Sequence, residues 1–448
     1  MAPTLDAIRN CLEGAVPSAI ATCAPDGIPN VAYLSQVHYV DSEHVALSFQ
    51  FFNKTRQNVL ANPRAAVQVI DPDSAAHYRL TLQYLRTETA GPLFEYMKAK
   101  LASIASHTGM SKVFRLQGSD VYRVLAIEAV AGDYLAYAPP PRSVLAALRH
   151  FSRRLTDELE LGGVFDKVLF NLEQLFDIRH AMVLVYDEPG RRLYTVASRG
   201  FAQSGVGSEM PLGQGVIGVA AAQRTPIRIT HMVHEVAYSH AVRDAMASVD
   251  ATFGLETAIP LPGLPEARSQ LAVPIVLDKR LLGVLYAESP EALRFTFEDE
   301  DALVTIADQV ALAMHVAERD AETAEAATSA TPAPAKVSGA AATVRHYSAD
   351  DSVFIDQDYL IKGVAGAIFW KLLRDYTTSQ RTEFSNRELR VDPTIRLPDI
   401  CDNLEARLIL LQRRLAERCD FMRIEKTGRG RFRLHIGRPL HLTEVAAG

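Results

Sequence analysis

This chain of 448 residues contains two segments whose composition is unsuited to the interior of a helix or a strand, and they divide it into three blocks. The first is the proline cluster at 139–141, which is excluded from the interior of a helix or a strand because proline fixes φ and lacks an N–H donor. The second, residues 321–344, is dominated by Ala, Thr, Ser and Pro and contains no aromatic residue, as is typical of a flexible linker. We therefore expect three domains, at residues 1–138, 143–320 and 345–442.

The amino-acid composition and net charge limit the classes of protein to which this chain could belong. The chain is 48% hydrophobic and 22% charged, which is ordinary for a globular protein. Its net charge of −6 argues against a globally basic, nucleic-acid-coating protein but is compatible with a local basic face. The four cysteines form no CxxC pair, so neither a zinc site nor a disulfide framework is indicated. No apolar run could span a bilayer and no signal-peptide pattern is seen, so we expect a cytoplasmic protein without membrane contact.

A strand followed by a turn and a helix in residues 45–63 carries the first candidate site. The apolar strand ends near Phe49, and the helix that follows is stopped by Asn62-Pro63. The polar residues at the helix start therefore fall where free backbone N–H groups and the positive end of the helix dipole point outward. This arrangement suits a phosphate group. The alternative is an ordinary strand-to-helix turn with a solvated lysine.

This stretch, together with the strand around residues 82–88, resembles the FMN-binding split-barrel family that includes pyridoxamine-phosphate oxidase. The resemblance implies a small barrel of antiparallel strands with bound flavin; haem, with His38, His77 or His107 as the nominal ligand, is the less favoured cofactor. The block has no tryptophan, so oxidation of pyridoxamine phosphate is not expected. The cofactor-binding residues that the resemblance implies are Asn53, Lys54, Thr55, Arg56, Asn58, Gln83, Gln36 and Ser48.

The second block has a different order of elements. A glycine-rich segment at 212–218 leads into an apolar helix, but no βαβ unit follows, so a dinucleotide site is not predicted. Two strands, 270–277 and 280–288, precede a helix that opens at Phe297 with acidic residues at its positive end. This order resembles the GAF family of small-molecule sensor domains and implies an α/β/α fold.

The resemblance places the GAF ligand pocket against residues 225–255. His231, His234, Tyr238 and His240 lie in this segment, but no nearby Cys or Asp completes a metal set, so we predict no metal site and leave the small molecule unidentified. An apolar stripe at helical spacing precedes the domain, at Leu148, Phe151, Leu155 and Leu159. It predicts either a homodimer contact or a cover for the domain's own sheet.

The third block shows three helices followed by a basic hairpin. Ser385 and Glu388 fit a capping box at the start of the second helix, and the third helix spans about 404–418. The pattern resembles a small winged-helix domain, in which the third helix enters the major groove of DNA. Acidic residues interrupt the basic surface, so docking to a protein partner is the alternative. The DNA-binding residues predicted on the helix and the wing are Arg407, Arg413, Arg414, Arg418, Arg429, Arg431 and Arg433.

Together the three blocks predict a multidomain α+β protein with a split β-barrel, a GAF sensor domain and a winged-helix output. The function that follows is that of a signalling or regulatory protein, which senses a flavin redox state or a small molecule and acts in transcription. One alternative is an FMN-dependent oxidoreductase regulated by its other domains, for which no catalytic residue can be selected. The other is an interaction scaffold without a cofactor.

Overall fold

The first block forms an open sheet of seven antiparallel strands. The computed structural model describes residues 3–12, 16–34, 37–50, 54–72, 74–107, 116–132, 135, 143–155, 160–188, 190–230, 259–323, 339–393, 395, 404–428 and 430–445. The order across the sheet is β2-β1-β5-β6-β7-β4-β3. The strands are β1 (Ser18–Cys23), β2 (Pro29–Leu34), β3 (Val37–Tyr39), β4 (His44–Phe49), β5 (Arg64–Ile70), β6 (His77–Glu88) and β7 (Gly118–Ala129).

Apolar residues alternate along these strands because successive side chains point to opposite faces of a sheet. One face buries Val67, Leu80 and Leu82 against a short 3-10 helix, Asp6–Leu12. Two helices complete the block: α1 (Lys54–Ala61), which follows β4 after residues 51–53, and α2 (Pro92–His107). The sequence pattern alone predicts strands at residues 18–23, 64–70 and 77–88, and the structure confirms each of them to the residue.

The second block is a six-stranded antiparallel sheet with helices on both faces. Its order is β10-β9-β8-β13-β12-β11. The strands are β8 (His180–Asp187), β9 (Arg192–Arg199), β10 (Glu209–Pro211), β11 (Ile227–Ile229), β12 (Ser269–Leu277) and β13 (Arg280–Ser289). The helices are α3 (Val144–Leu155), α4 (Leu161–Phe176), α5 (Gly215–Gln223) and α6 (Phe297–Thr323).

The third block contains two small sheets and three helices. One sheet has the order β16-β15-β14-β20 with a parallel β14–β20 pair, and the other has the order β17-β19-β18. The capping box of Ser385 and Glu388 is present in the structure. The elements are β14 (Ala342–Tyr347), β15 (Ser352–Ile355), β16 (Asp358–Ile361), α7 (Gly363–Ser379), β17 (Glu383–Ser385), α8 (Asn386–Val391), α9 (Leu404–Arg418), β18 (Met422–Gly428), β19 (Arg431–Ile436) and β20 (Leu440–Val445).

The hydrophobic cores cross the boundaries between the blocks. Met97 and Leu101 of α2 share one core with Leu184 and other residues on one face of the second sheet. On the other face of that sheet, α4 and α6 belong to a core that continues into the third block through Leu408 and Leu411 of α9. The three blocks are therefore packed as one body rather than joined only by linkers.

The apolar stripe on α3 faces the core of the protein and not the solvent. Phe151 is fully buried and Leu155 nearly so, both within the core that α3 shares with α4 and α6, and Leu148 packs against that core. Leu159 lies outside the described residues. The stripe therefore covers its own domain, which is the second of the two roles that its pattern predicts. Of the segment predicted as a linker, residues 321–323 extend α6 and residues 342–344 begin β14.

Candidate functional site

A cavity of about 160 Å³ lies beside α1 on the inner face of the first sheet. Its apolar wall comes mainly from β1, β2 and β4, where alternate residues such as Ile20 and Leu47 point inward. Its polar wall comes from β4, β7 and the first turns of α1. The polar side chains that line it are Ser48, Gln50, Thr55, Arg56 and Asp120.

An ion pair between Arg56 and Asp120 forms one wall of this cavity. Nη1 of Arg56 donates to Oδ2 of Asp120 at 2.5 Å, and Nη2 donates to the hydroxyl of Thr87 at 2.8 Å. The Thr87 hydroxyl in turn donates to Oδ1 of Asp120 at 2.5 Å. The two charged side chains are only 11% and 8% exposed. Burial raises the pKa of the Asp120 carboxyl above its ordinary value, while the Thr87 hydrogen bond and the Arg56 charge oppose that rise.

The start of α1 presents two groups suited to an anion. Lys54 is the first residue of the helix, and its side chain is exposed. Thr55 follows it, accepts a hydrogen bond from Nδ2 of Asn30 at 2.9 Å, and can still donate its own hydroxyl proton. Within the described residues, the buried hydroxyl oxygen of Ser48 has no hydrogen-bond partner, and Ser48 lines the cavity. These three side chains could hold a bound anion or ring.

Two of the other predicted flavin contacts, Asn58 and Gln83, do not line the cavity. Asn58 is buried and donates to the hydroxyl of Thr22 at 3.2 Å, so it ties α1 to β1 instead of lining the cavity. Gln83 lies between the inward residues Leu82 and Tyr84 of β6 and therefore on the opposite face of the sheet. Gln36 and Asn53 lie outside the described residues.

Two of the histidines nominated for haem, His38 and His77, do not line this cavity. His38 is buried with its ring 4.5 Å from that of Tyr96, and burial together with nearby Lys100 and Arg228 holds its pKa well below the usual range. His77 bonds Gln68 at 2.7 Å, and the side chain of His107 is not among those described. Across the described parts of the chain, no group of three or more His, Cys, Asp or Glu side chains is arranged to hold a metal ion.

The GAF segment expected to line a pocket is described only as far as residue 230. His231, His234, Tyr238 and His240 therefore lie outside the described residues. Just before them, Arg228 is fully buried and pairs with Glu300 at 2.7 Å. Its guanidinium lies 4.2 Å from the ring centre of Phe297. The guanidinium of Arg9, in the first block, lies at the same distance from the centre of that ring. Phe297 thus joins the first block to the second.

Two arginines predicted for DNA binding are held against the GAF block. Arg407 of α9 pairs with Asp187 at the end of β8, and both side chains are buried. Nη2 of Arg413 donates to the carbonyl oxygen of Gly162 at 3.1 Å and to a carboxylate oxygen of Asp166 at 2.8 Å. In this arrangement neither guanidinium can face a DNA duplex.

The remaining predicted DNA contacts differ in their surroundings. Nε of Arg414 donates to the carbonyl of Leu360 at 3.0 Å within the third block and is buried there. Arg433 pairs with Glu383 on the neighbouring strand at 2.6 Å. Arg418 is exposed at the end of α9, Arg431 is half-buried on β19, and Arg429 lies outside the described residues.

Sequence patterns did not identify the two buried carboxylates. Asp120 precedes an apolar run on β7 and Asp187 ends β8, so each looks like a residue at the edge of a strand. Their partners lie 64 and 220 residues away in sequence. Only the sheet register and the packing of α9 bring these residues together.

Two family models match the chain. The model described as GAF domain matches residues 160–314, and the one described as pyridoxamine 5'-phosphate oxidase matches residues 4–134. A curated relative, an uncharacterised protein of Methanocaldococcus jannaschii, is 36% identical over 70 residues, which cover 15% of this chain. The match spans about half of that relative's length, 47%.

The solved structures that the chain matches include the GAF domain of a phosphoenolpyruvate-protein phosphotransferase from Coxiella burnetii. This match has 21% identity, covers 39% of this chain and 95% of that chain, and has a TM-score of 0.33. Free methionine-R-sulfoxide reductase from Neisseria meningitidis gives 18% identity, coverages of 41% and 98%, and a TM-score of 0.32. An FMN-binding protein from Syntrophomonas wolfei gives 16% identity, coverages of 28% and 85%, and a TM-score of 0.24.

None of the helices in the described residues is long and apolar enough to cross a bilayer. The match at residues 4–134 covers the seven-stranded sheet, and the match at 160–314 covers the six-stranded sheet with α4 to most of α6. The protein is therefore a multidomain α+β protein that combines a pyridoxamine 5'-phosphate oxidase-like domain with a GAF domain.

Proposed function

We propose that the protein is a flavin-binding sensory regulator. FMN is held by the first domain, a small molecule by the GAF domain, and the third block is a winged helix that acts on DNA. The observation that carries the proposal is the cavity beside α1, which Thr55 and the unpartnered hydroxyl of Ser48 line and which lies at the helix start that begins with Lys54. A phosphate is favoured at such a helix start because free N–H groups and the helix dipole act together.

The residues present fit the phosphate end of FMN. Lys54 supplies an exposed cation and Thr55 a hydroxyl donor at the start of α1. Ser48 offers a buried hydroxyl that a polar edge of the flavin would satisfy. Arg56 is already neutralised by Asp120, so Lys54 is the main cation for the phosphate. When bound, FMN would supply electron-transfer chemistry, and the protein would supply its orientation.

Titration of FMN into the purified protein, followed by flavin fluorescence, tests this assignment. Lys54→Ala combined with Thr55→Ala should weaken binding by about tenfold or more, because each hydrogen bond to a charged group is worth about 1.5–3 kcal/mol. Lys98→Ala is the matched control, since Lys98 is an exposed lysine of the same domain whose ammonium group pairs with Glu95 and lies over the ring of Phe94, both on its own helix. A wild type that binds no flavin refutes the proposal. If the double variant binds FMN as tightly as the wild type, the phosphate site lies elsewhere in the protein.

The topology of the third block supports the winged-helix assignment. Its elements follow the order helix, strand, helix, helix, strand, strand from α7 to β19. The strand from between the first two helices, β17, pairs with β19, which also forms a hairpin with β18. In such a fold the third helix, here α9, reads the major groove. The DNA-binding output therefore depends on the exposure of α9.

A further inference from the structure

The outward face of α9 lies on the GAF domain instead of in solvent. Arg407 forms a buried ion pair with Asp187. Arg413 donates to the carbonyl oxygens of Val196 and Gly162 at 2.9 and 3.1 Å, as well as to Asp166. The guanidinium groups of Arg407 and Arg413 on the proposed recognition helix thus have oxygen acceptors on the GAF domain.

Apolar packing and further charge pairs seal the contact around these arginines. Ala406, Ile409 and Leu410 of α9 are buried in the core that includes α4 and β9. A Cβ atom placed on Gly162 would lie 3.7 Å from Ile409, which shows how closely α4 approaches α9. Beside them, Lys362 at the start of α7 pairs with Glu209 of β10 at 3.2 Å, with both side chains largely buried.

Carboxylates and carbonyl oxygens are the acceptors within a protein that most resemble a phosphate to a guanidinium group. We propose that the GAF domain masks a duplex-DNA-binding face of α9, with Asp187 and Asp166 occupying arginines that would otherwise contact phosphates. This inference rests on the proposed winged-helix function. It adds that α9 is masked in the fold described here, and that α9 must separate from the GAF domain before the protein can bind DNA.

The test uses the full chain and a fluorescein-labelled, 30-base-pair duplex of mixed sequence at low salt. Asp166→Lys combined with Asp187→Asn removes the two carboxylate charges on the GAF side, and the asparagine side chain retains an oxygen for the hydrogen bond from the Gly190 amide. Affinity for DNA should rise at least tenfold. The slope of log affinity against log salt should steepen by about 0.9 for each arginine freed.

The control variant changes the net charge by the same amount away from the contact. Asp308→Lys lies on the exposed face of α6, and Asp278→Asn lies in the exposed turn between β12 and β13. Hydrogen exchange of the α9 amides reports whether the helix has separated from the GAF domain. Trp370, the only tryptophan and a buried residue of α7, reports by its fluorescence that the third block is still folded.

Release of α9 accompanied by tight, salt-sensitive DNA binding supports the proposal. A wild type that binds DNA as tightly as the released variant overturns the masking while the DNA-binding function survives. Release without any DNA binding overturns the DNA-binding function itself. If neither this variant nor Gly162→Arg, which wedges a side chain against Ile409, separates the helix, the contact is permanent and the masking is overturned.

Discussion

Replacement of Asp120 by asparagine should strengthen flavin binding. In the wild type, Asp120 neutralises Arg56 inside the cavity, with Nη1 and Oδ2 2.5 Å apart. The asparagine side chain would keep an oxygen to accept from Arg56 and an amide group to bond Thr87, so the geometry survives while the negative charge is lost. One additional charge-assisted bond to a phosphate is worth about 1.5–3 kcal/mol, so the dissociation constant of FMN should fall by about tenfold or more.

The assay is fluorescence titration with FMN, and the matched control is Glu128→Gln. Glu128 lies on the same strand as Asp120, is exposed and pairs with Arg79, so this variant changes the charge by the same amount away from the cavity. Arg56→Gln added to Asp120→Asn should cancel the gain. Equal affinity in the wild type and in Asp120→Asn would show that Arg56 does not reach the phosphate and would refute the reasoning.

The same pair predicts a dependence on pH. Because burial raises the pKa of Asp120, the folded state holds this proton more tightly than the unfolded chain, whose Asp pKa is about 3.9. The resulting contribution to stability is complete below about pH 4 and is lost as the pH rises through the folded pKa. Urea unfolding should therefore show that the wild type loses stability relative to Asp120→Asn over that interval. A difference that does not vary with pH contradicts the raised pKa.

Three further changes test how the blocks are packed. Leu155→Glu should lower the free energy of unfolding by about 3 kcal/mol or more, since it places a charge in the shared core. Leu145→Glu, at a 78% exposed position of the same helix, is the control and should change the free energy of unfolding by less than about 0.5 kcal/mol. Thermal unfolding of the two variants measures this difference. If the protein is a dimer, the exposed Leu312 and Val316 of α6 are candidate contacts, and their joint replacement by Glu should halve the mass by light scattering without altering circular dichroism. Phe297→Ala should increase hydrogen exchange in the 3-10 helix of the first block, because its ring contacts a guanidinium group there; unchanged exchange would contradict that role.

Local elements were predictable from the sequence because their causes are local. Alternating apolar residues located β1, β5 and β6 to the residue, and the helix-stopping Asn62-Pro63 placed the end of α1 within one residue. The sequence pattern predicts one strand over residues 29–40, whereas the structure describes two, β2 and β3, at opposite edges of the sheet. Periodicity alone does not reveal this division, since both strands continue the same apolar pattern.

The candidate sites were less predictable because they depend on pairing over long distances in sequence. The turn that presents Lys54 and Thr55 could be predicted, since a strand-to-helix junction is a local feature. The neutralisation of Arg56 by Asp120 depends on the pairing of β4 and β7. Likewise, the arginines of the third helix predict a DNA-binding face on α9, whereas the fold directs Arg407 into the GAF domain. A count of the charged residues in a sequence does not show which of them are paired in the folded protein.

Shared cores determine how the third block should be studied. Residues such as Ile409 and Leu410 face the GAF domain, so a fragment beginning near residue 345 would expose them together with Arg407 and Arg413, which would lose their acceptors on that domain. Such a fragment would combine an exposed apolar patch with a basic face, and both features promote nonspecific association. DNA retention by the fragment alone would therefore say little about the intact protein. The comparison that separates a masked DNA site from a permanent structural contact is between two full-length chains that differ only on the GAF side of the interface.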